Sequence, residues 1–270
     1  MISTSGLPAT LALNLIKTKH ETFTKSITSD SINKREINAF NERIGNITTA
    51  EDLVNDYETF SFVMKAFDLE DQIFGKAMMK KVLSSDATDK KSLLNKLTDN
   101  RFKELYTAMG FTAGVKEDDS FTDPDWVQSI VDRYVDQKLI NAQLDDNSSV
   151  GHVLHFQQKV ENGNIKNWYS VLADTTLKEF FMTSFGLPDA FSNTDIDAQA
   201  RLLEKKFDLE KLSDPAEIEK LTKRYLALSD DSSSTTASSN PIVQLVSGGT
   251  SSSIISINMD GFRQLKTGKY

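Results

Sequence analysis

The spacing of the apolar residues is the feature that most constrains how this chain can fold. Between positions 9 and 228 they recur mostly at intervals of three and four residues, as at Phe60, Met64 and Phe67. Such spacing places apolar side chains on one face of a helix. Only 12 glycines and 5 prolines interrupt the 270 residues. The sequence therefore predicts an all-α fold.

Capping signals predict where several of these helices begin and end. Thr49 and Asp52 have the spacing of a capping box, in which side chains and backbone exchange hydrogen bonds. Asp123 followed by Pro124 is typical of a helix start, and the pattern after it predicts a helix of about twenty residues. Gly110 is suited to end the helix before it, because glycine readily adopts a positive φ.

Two stretches of the sequence are similar to each other. Residues 56–71 read DYETFSFVMKAFDLED and residues 174–189 read DTTLKEFFMTSFGLPD. At an offset of 118 residues the identical pairs are Asp56 and Asp174, Phe62 and Phe180, Met64 and Met182, Phe67 and Phe185, Leu69 and Leu187, and Asp71 and Asp189. This similarity predicts a duplication that produces two pseudo-repeated helical lobes, residues 30–111 and residues 150–228.

The chain outside the two lobes divides into four parts. Residues 1–29 form a weakly amphipathic N-terminal segment, and residues 112–149 form a polar connector that contains the long helix. Residues 229–240 read SDDSSSTTASSN, a composition typical of a linker. Residues 241–270 form a tail in which IVQLV and IISIN are predicted as the two short strands of a β-hairpin.

The chain resembles an alphaproteobacterial family of unknown function whose genes commonly lie in flagellar clusters. The matching stretches span about residues 30–228 and include EINAFNERIGNITTAEDLVNDYETFSFVMKAFDLEDQIFGKAMMKKVL, KSLLNKLTDNRF, NWYSVLADTTLKEFFMTSFGLPDAFSNTDIDAQARLLEKKF and DPAEIEKLTKRYL. Family members often carry a glycine at the position of Asp68, just before Leu69. The resemblance implies a connection to the flagellum or motility, with flagellar proteins as partners. It implies no catalytic residues.

Composition excludes several classes of function. The chain has no cysteine, which removes disulfides, thiol catalysis and thiolate metal sites. Its 31 Lys and Arg residues against 39 Asp and Glu residues give a net charge of −8. Proteins that bind nucleic acid usually carry a basic surface, so no nucleic-acid partner is expected. Apolar runs of only a few residues predict no direct insertion into a membrane.

The location of the protein stays open between the bacterial flagellum and the cytoplasm. The first residues, MISTSGLPATLALNLIKTKHE, carry no basic region before their short apolar stretch. A cleaved signal peptide is therefore not expected. Two alternatives apply to residues 1–29, either an export or docking segment or a terminal helix packed on the body.

No catalytic, cofactor-binding or metal-binding residue is assigned from the sequence, and no cofactor is expected. His152 and His155 have a spacing that can place two imidazoles on one metal ion, but no further ligand stands at a suitable spacing. Solvated or capping histidines are predicted instead. Asp195 and Asp197 alternate as in a calcium loop, but the downstream glycine and glutamate are missing. A helix start with capping acids is predicted there.

These observations favour a non-enzymatic structural or accessory protein of the bacterial flagellar apparatus that acts through protein–protein contacts. A cytoplasmic export chaperone or regulator is the nearest alternative. An enzyme, or a module that binds a small ligand between the lobes, would need a deep pocket with converging polar groups. The oligomeric state is left open.

We predict that removing residues 241–270 leaves the helical body folded, because the predicted repeats end before the linker. Melting followed by circular dichroism should stay cooperative, with a Tm within about 4 °C of the full chain, which corresponds to roughly 1 kcal/mol in a protein of this size. Loss of the cooperative transition would show that the tail belongs to the core.

Overall fold

Fourteen α-helices make up most of residues 2–233, which are the residues that the computed structural model describes. They are α1 (Ala9–Thr18), α2 (His20–Thr28), α3 (Ser31–Arg43), α4 (Ala50–Asn55), α5 (Tyr57–Ala66), α6 (Lys76–Leu83), α7 (Leu93–Lys96), α8 (Asn100–Met109), α9 (Pro124–Asp146), α10 (Ser148–Glu161), α11 (Trp168–Ala173), α12 (Thr175–Ser184), α13 (Ile196–Lys206) and α14 (Pro215–Ser233). Within this range β-structure is limited to two isolated bridges, Thr49–Val115 and Thr112–Val115. The predicted all-α class is therefore confirmed for the described residues.

The predicted capping signals are present as hydrogen bonds. Asp52 N–H donates to Thr49 Oγ1 at 3.0 Å, and Thr49 N–H donates to Asp52 Oδ2 at 2.8 Å, which completes the capping box of α4. Asp123 accepts a hydrogen bond from the Asp125 N–H at the start of α9. Gly110 follows α8 in the left-handed conformation. Local sequence therefore determines these three helix ends.

The long helix α9 contacts helices from both halves of the described chain. It packs against α2 and α5 on one part of its surface and against α10 along another. Tyr134, Leu139 and Ile140 are among its buried residues. A helix of this length is consistent with the prediction made from Asp123 and Pro124.

A stack of three aromatic rings fills the space between α3, α5 and α9. The Phe62 ring lies between the rings of Phe40 and Tyr134, at centroid distances of 4.4 Å and 4.3 Å. The Tyr134 hydroxyl donates to Glu36 Oε2 at 2.8 Å, so the polar end of this buried tyrosine is satisfied. Burial raises the pKa of Tyr134, and the neighbouring Glu36 carboxylate adds to that shift.

A second stack of three rings lies between α10, α12 and α14. The Phe180 ring lies between the rings of Phe156 and Tyr225, at centroid distances of 4.1 Å and 4.8 Å. The Tyr225 hydroxyl is 2.8 Å from His152 Nδ1. Burial raises the pKa of Tyr225 to about 12. Phe62 and Phe180, which the sequence comparison aligned, thus occupy the middle of the two stacks.

The helices that carry these two phenylalanines also begin and end alike. Asp56 caps α5 and Asp174 caps α12 through their side chains. After α5 the chain turns at Asp68, whose φ is 58°, and after α12 it turns at Gly186, whose φ is 61°. These local likenesses follow the aligned sequence, while the division into two duplicated lobes stays a prediction.

The N-terminal segment packs on the body, which is one of the two alternatives drawn from its sequence. Ile16, Phe23 and Ile27 are buried, and α1 contacts α10 and α14. The Thr4 hydroxyl donates to Gln143 Oε1 of α9 at 2.6 Å. None of the described helices is long and apolar enough to cross a membrane.

The predicted boundary of the serine-rich linker is wrong at its N-terminal side, because α14 continues to Ser233 and residues 229–233 are helical. Asp230 accepts hydrogen bonds from the Ala9 N–H at 2.8 Å and the Thr10 hydroxyl at 3.3 Å. Packing of α14 against α1 therefore overrides the low helix propensity of this serine-rich stretch. Residues 234–240 of the linker and the predicted hairpin of residues 241–270 lie outside the described residues.

We predict that Gly151→Ala destabilises the protein, although alanine is the better helix former by up to about 1 kcal/mol. A Cβ at Gly151 would lie 2.5 Å from the backbone nitrogen and 2.7 Å from the Cα of Leu144 in α9. Because relief requires moving one helix against the other, the free energy of unfolding should fall by at least about 2 kcal/mol in urea titrations.

Gly163→Ala is the matched control for this variant. Gly163 has a φ of +66° and no atom within 4 Å of an added Cβ. The left-handed conformation is therefore the only source of destabilisation, and the free energy of unfolding should fall by about 1 kcal/mol. A Gly151→Ala protein as stable as the original would contradict the close approach of α9 and α10.

Candidate functional site

The two histidines of α10 occupy different environments, and neither is a simple surface residue. His155 is buried, and its Nε2 lies 2.7 Å from Asp174 Oδ2 at the start of α12. His152 is partly buried, with its Nε2 3.1 Å from Glu179 Oε2, and burial lowers its pKa. The prediction of solvated or capping histidines is therefore wrong for His155, because α12 and α14 cover this face of α10.

The His155–Asp174 pair links α10 to α12. Asp174 also caps α12 by accepting a hydrogen bond from the Leu177 N–H at 3.0 Å. Burial alone would raise the pKa of Asp174, but the hydrogen bond with His155 and the Leu177 N–H hold that pKa below its usual value. Asp174 is thus a charged cap that orients a buried imidazole.

A polar cleft of about 270 Å³ opens beside this pair. Five elements meet there, namely the turn after α5, the N-terminal half of α8, the C-terminal part of α10 with the residues after it, α11, and the N-terminal turn of α12. Its charged lining residues are Asp68, Asp99, Arg101, Glu104, Lys159 and Asp174. Polar groups from both halves of the described chain therefore converge on one cavity.

Arg101 connects the two acidic residues Asp68 and Asp99, which line the cleft beside it. Its Nη2 donates to Asp99 Oδ2 at 2.8 Å. Its Nη1 donates to the backbone carbonyl of Asp68 and lies 3.5 Å from the carboxylate of that residue. On the neighbouring surface Arg133 pairs with Glu104 and stacks its guanidinium 4.2 Å from the centre of the Phe67 ring.

Asp68 has a φ of 58°, a conformation that glycine adopts readily, and Gly186 takes the equivalent position after α12. A positive φ is unfavourable for residues with a Cβ, although aspartate tolerates it better than most. The carboxylate accepts a hydrogen bond from Gln137 Nε2 at 3.2 Å. Burial raises the pKa of Asp68, against the opposing effect of Lys159 and Arg101. Asp68 therefore contributes a carboxylate to the cleft.

Asp195 and Asp197 behave as the sequence predicts. Asp195 caps α13 by accepting hydrogen bonds from the N–H groups of Asp197 and Ala198, at 3.0 Å and 3.3 Å. No group of three metal-binding side chains is found within residues 2–233. The predicted helix start with a capping acid is confirmed at this position.

A second feature that sequence reasoning missed is an exposed aromatic surface next to α5 and α6. Phe74 is 96% exposed and Tyr57 is 59% exposed. Lys76, two residues after Phe74, places its ammonium 5.8 Å from the centre of the Tyr57 ring. Tyr57, Phe74 and Lys76 are called the aromatic patch below. Phe74 lies three and four residues before Ala77 and Met78, a spacing typical of a buried helix face, so the sequence carries no signal of its exposure.

The family model described as "Protein of unknown function (DUF1217)" matches residues 66–218. The chain belongs to the DUF1217 family. The matched region contains every residue that lines the cleft, and it contains Phe74 but not Tyr57. The expectation of a family of unknown function is thus confirmed.

A crystal structure of a protein from Agrobacterium tumefaciens is similar to most of this DUF1217 chain. The TM-score is 0.72 at 28% sequence identity, and the alignment covers 86% of this chain and 97% of the other. No curated protein matches the chain. The arrangement of helices is therefore shared with a protein from an alphaproteobacterium.

We predict that Asp174→Ala lowers the free energy of unfolding by about 2–4 kcal/mol. Loss of the α12 cap should cost about 1 kcal/mol, and leaving His155 buried without its partner should cost about 1–3 kcal/mol. The folded state favours the ionised form of Asp174. The stabilisation by Asp174 is therefore present at neutral pH and is lost as the pH falls below the ordinary aspartate pKa of 3.8. Urea titrations between neutral and acidic pH check both effects.

Asp195→Ala serves as the control because it removes a cap that pairs with no histidine. We expect it to cost only about 1 kcal/mol. Equal losses in the two variants would contradict the role assigned to the His155 pair.

Proposed function

We propose that this protein is a non-enzymatic structural or accessory protein of the bacterial flagellar apparatus that acts through protein–protein contacts. The family resemblance supports the flagellar part of the proposal. The exposure of Phe74 is the single observation that supports the contact part. Flagellar proteins are the proposed partners.

The aromatic patch has the properties of an interface centre. A phenylalanine left in water forgoes about 1.5–3 kcal/mol that its burial would contribute. Aromatic anchors with a polar rim carry much of the binding energy in protein interfaces. Here Arg43 forms 2.9 Å ion pairs with Asp56 and Glu58, the residues on either side of Tyr57. The rim is therefore charged and the anchors are aromatic.

The two-lobed repeat belongs to the same proposal, and it is supported by the matching ring stacks and helix ends. At the offset of 118 residues, Thr175 corresponds to Tyr57 and Ser192 corresponds to Phe74. The second lobe thus has no counterpart of the aromatic patch. We infer that partner binding is a property of the first lobe, while the second lobe contributes Thr175 to the cleft.

Fractionation of a tagged copy in flagellated cells tests the proposed location. Cytoplasm, culture medium and purified hook–basal bodies are compared with and without a working export apparatus. Export-dependent presence in the flagellum supports a structural component. A purely cytoplasmic pool that is unchanged when export is blocked contradicts that role and favours the alternative of an export chaperone or regulator.

We predict that Phe74→Ser lowers swimming motility to the level of a gene deletion, because it removes the proposed anchor. Its free energy of unfolding should change by no more than about 0.5 kcal/mol, as expected for an exposed side chain. Ile32→Ser is the matched control, since Ile32 on α3 is 58% exposed and lies outside the aromatic patch. Normal motility in the Phe74→Ser strain, or in the deletion strain, would contradict the proposal.

A further inference from the structure

Three buried polar groups that line the cleft have unused hydrogen-bonding capacity. Glu104 Oε1 is buried and accepts no hydrogen bond within residues 2–233, and the side chain as a whole is 10% exposed. The Lys159 side chain is 6% exposed, and its ammonium lies 3.9 Å from Glu104 Oε1, beyond hydrogen-bond distance. Asn164 Nδ2 is likewise buried without an acceptor among the described residues.

Unused groups of this kind normally bind water or a ligand. A buried polar atom without a partner costs about 1–3 kcal/mol. The ammonium of Lys159 and the amide of Asn164 need an acceptor, whereas Glu104 Oε1 needs a donor. A molecule that fills the cleft must therefore present a donor and an acceptor close together.

The charged residues of the cleft further limit which ligands can bind there. Four carboxylates line it, from Asp68, Asp99, Glu104 and Asp174, against the two cations Arg101 and Lys159. Arg101 already pairs with Asp99 and Asp68, so Lys159 is the cation with donors to spare. Arg133 pairs with Glu104 from the neighbouring surface, so the carboxylates exceed the cations by one, and a ligand without net charge suits this lining better than one with a net negative charge.

The size of the cleft fits a small molecule. Its volume of about 270 Å³ corresponds to about nine water molecules at ≈ 30 Å³ each. This is below the range of about 300–1,000 Å³ typical of sites for drug-sized ligands. The cleft is therefore matched to a ligand smaller than a typical drug molecule.

We propose that this cleft binds a small amino-carboxylate, of the size and charge of a free α-amino acid. The Lys159 ammonium and the Asn164 amide donate to the ligand carboxylate, and Glu104 Oε1 accepts from the ligand ammonium. Thr175 and Thr176, in the first turn of α12, line the same wall.

Isothermal titration calorimetry on the full chain tests the proposal. The probes are glycine, alanine, serine and lysine, with acetate, succinate, inorganic phosphate and putrescine as comparison compounds. We expect heat of binding with at least one amino acid and weaker binding of every comparison compound. The same amino acid should raise the Tm in a thermal melt. Tighter binding of succinate, phosphate or putrescine than of any amino acid would overturn the proposal. Lack of binding by all probes would overturn it too and would leave a cleft filled by water.

Two variants assign the binding to the cleft. Lys159→Met keeps the approximate length of the side chain and removes the charge. It should weaken binding of the amino acid by about tenfold or more. Asn164→Ala removes a donor that no described residue uses, so it leaves the fold intact and should weaken binding by about fivefold. Asn193→Ala is the control, because Asn193 is exposed and outside the cleft.

The outcome of this test is independent of the flagellar proposal. Amino-acid binding that is unchanged in Asn164→Ala and in Lys159→Met would place the ligand elsewhere and overturn the assignment of the site. The Phe74→Ser protein should bind the same amino acid with the same affinity, because Phe74 does not line the cleft.

Discussion

The close approach of α10 to α9 at Gly151 is the constraint on which the rest of the structure depends. With no side chain at this position, the start of α10 lies directly against the backbone of Leu144. The chain can therefore reverse after Asn147, whose side chain caps the new helix. That reversal carries Phe156 into the second ring stack, and it brings His155 and Lys159 to the ends of α8 and α12. We infer from this geometry that the two halves unfold together.

The interior charges are held by helix ends and by one another. Asp99 caps α8 and pairs with Arg101, and Asp174 caps α12 and pairs with His155. Each carboxylate thus satisfies orphan backbone N–H groups while it neutralises a neighbouring cation or imidazole. This arrangement lets a largely apolar helical core carry a charged cleft without many unpaired ions.

Sequence patterns predict the local structure well and the cleft poorly. The cap at Thr49, the start of α9 and the turn at Gly110 follow from neighbouring residues, so they are visible in the sequence. Glu104 and Lys159 are 55 positions apart in the chain, and they approach to 3.9 Å only in the folded protein. Lys159 lies three positions after Phe156 and four positions after His155. This spacing places it on the buried face of α10, so it is the sequence signal of a buried charge. Ser229 and Asp230 have the composition of a linker but are helical, because contacts of α14 with α1 decide their conformation.

The most direct test of this account is native-state hydrogen exchange measured helix by helix. If the α9–α10 crossing joins both ring stacks into one cooperative unit, the slowest amides of α5, α9, α10 and α12 should exchange with the same opening free energy, equal to that of global unfolding. Exchange of α12 and α14 at a clearly lower free energy than α3 and α5 would contradict the account, because the two halves would then open separately.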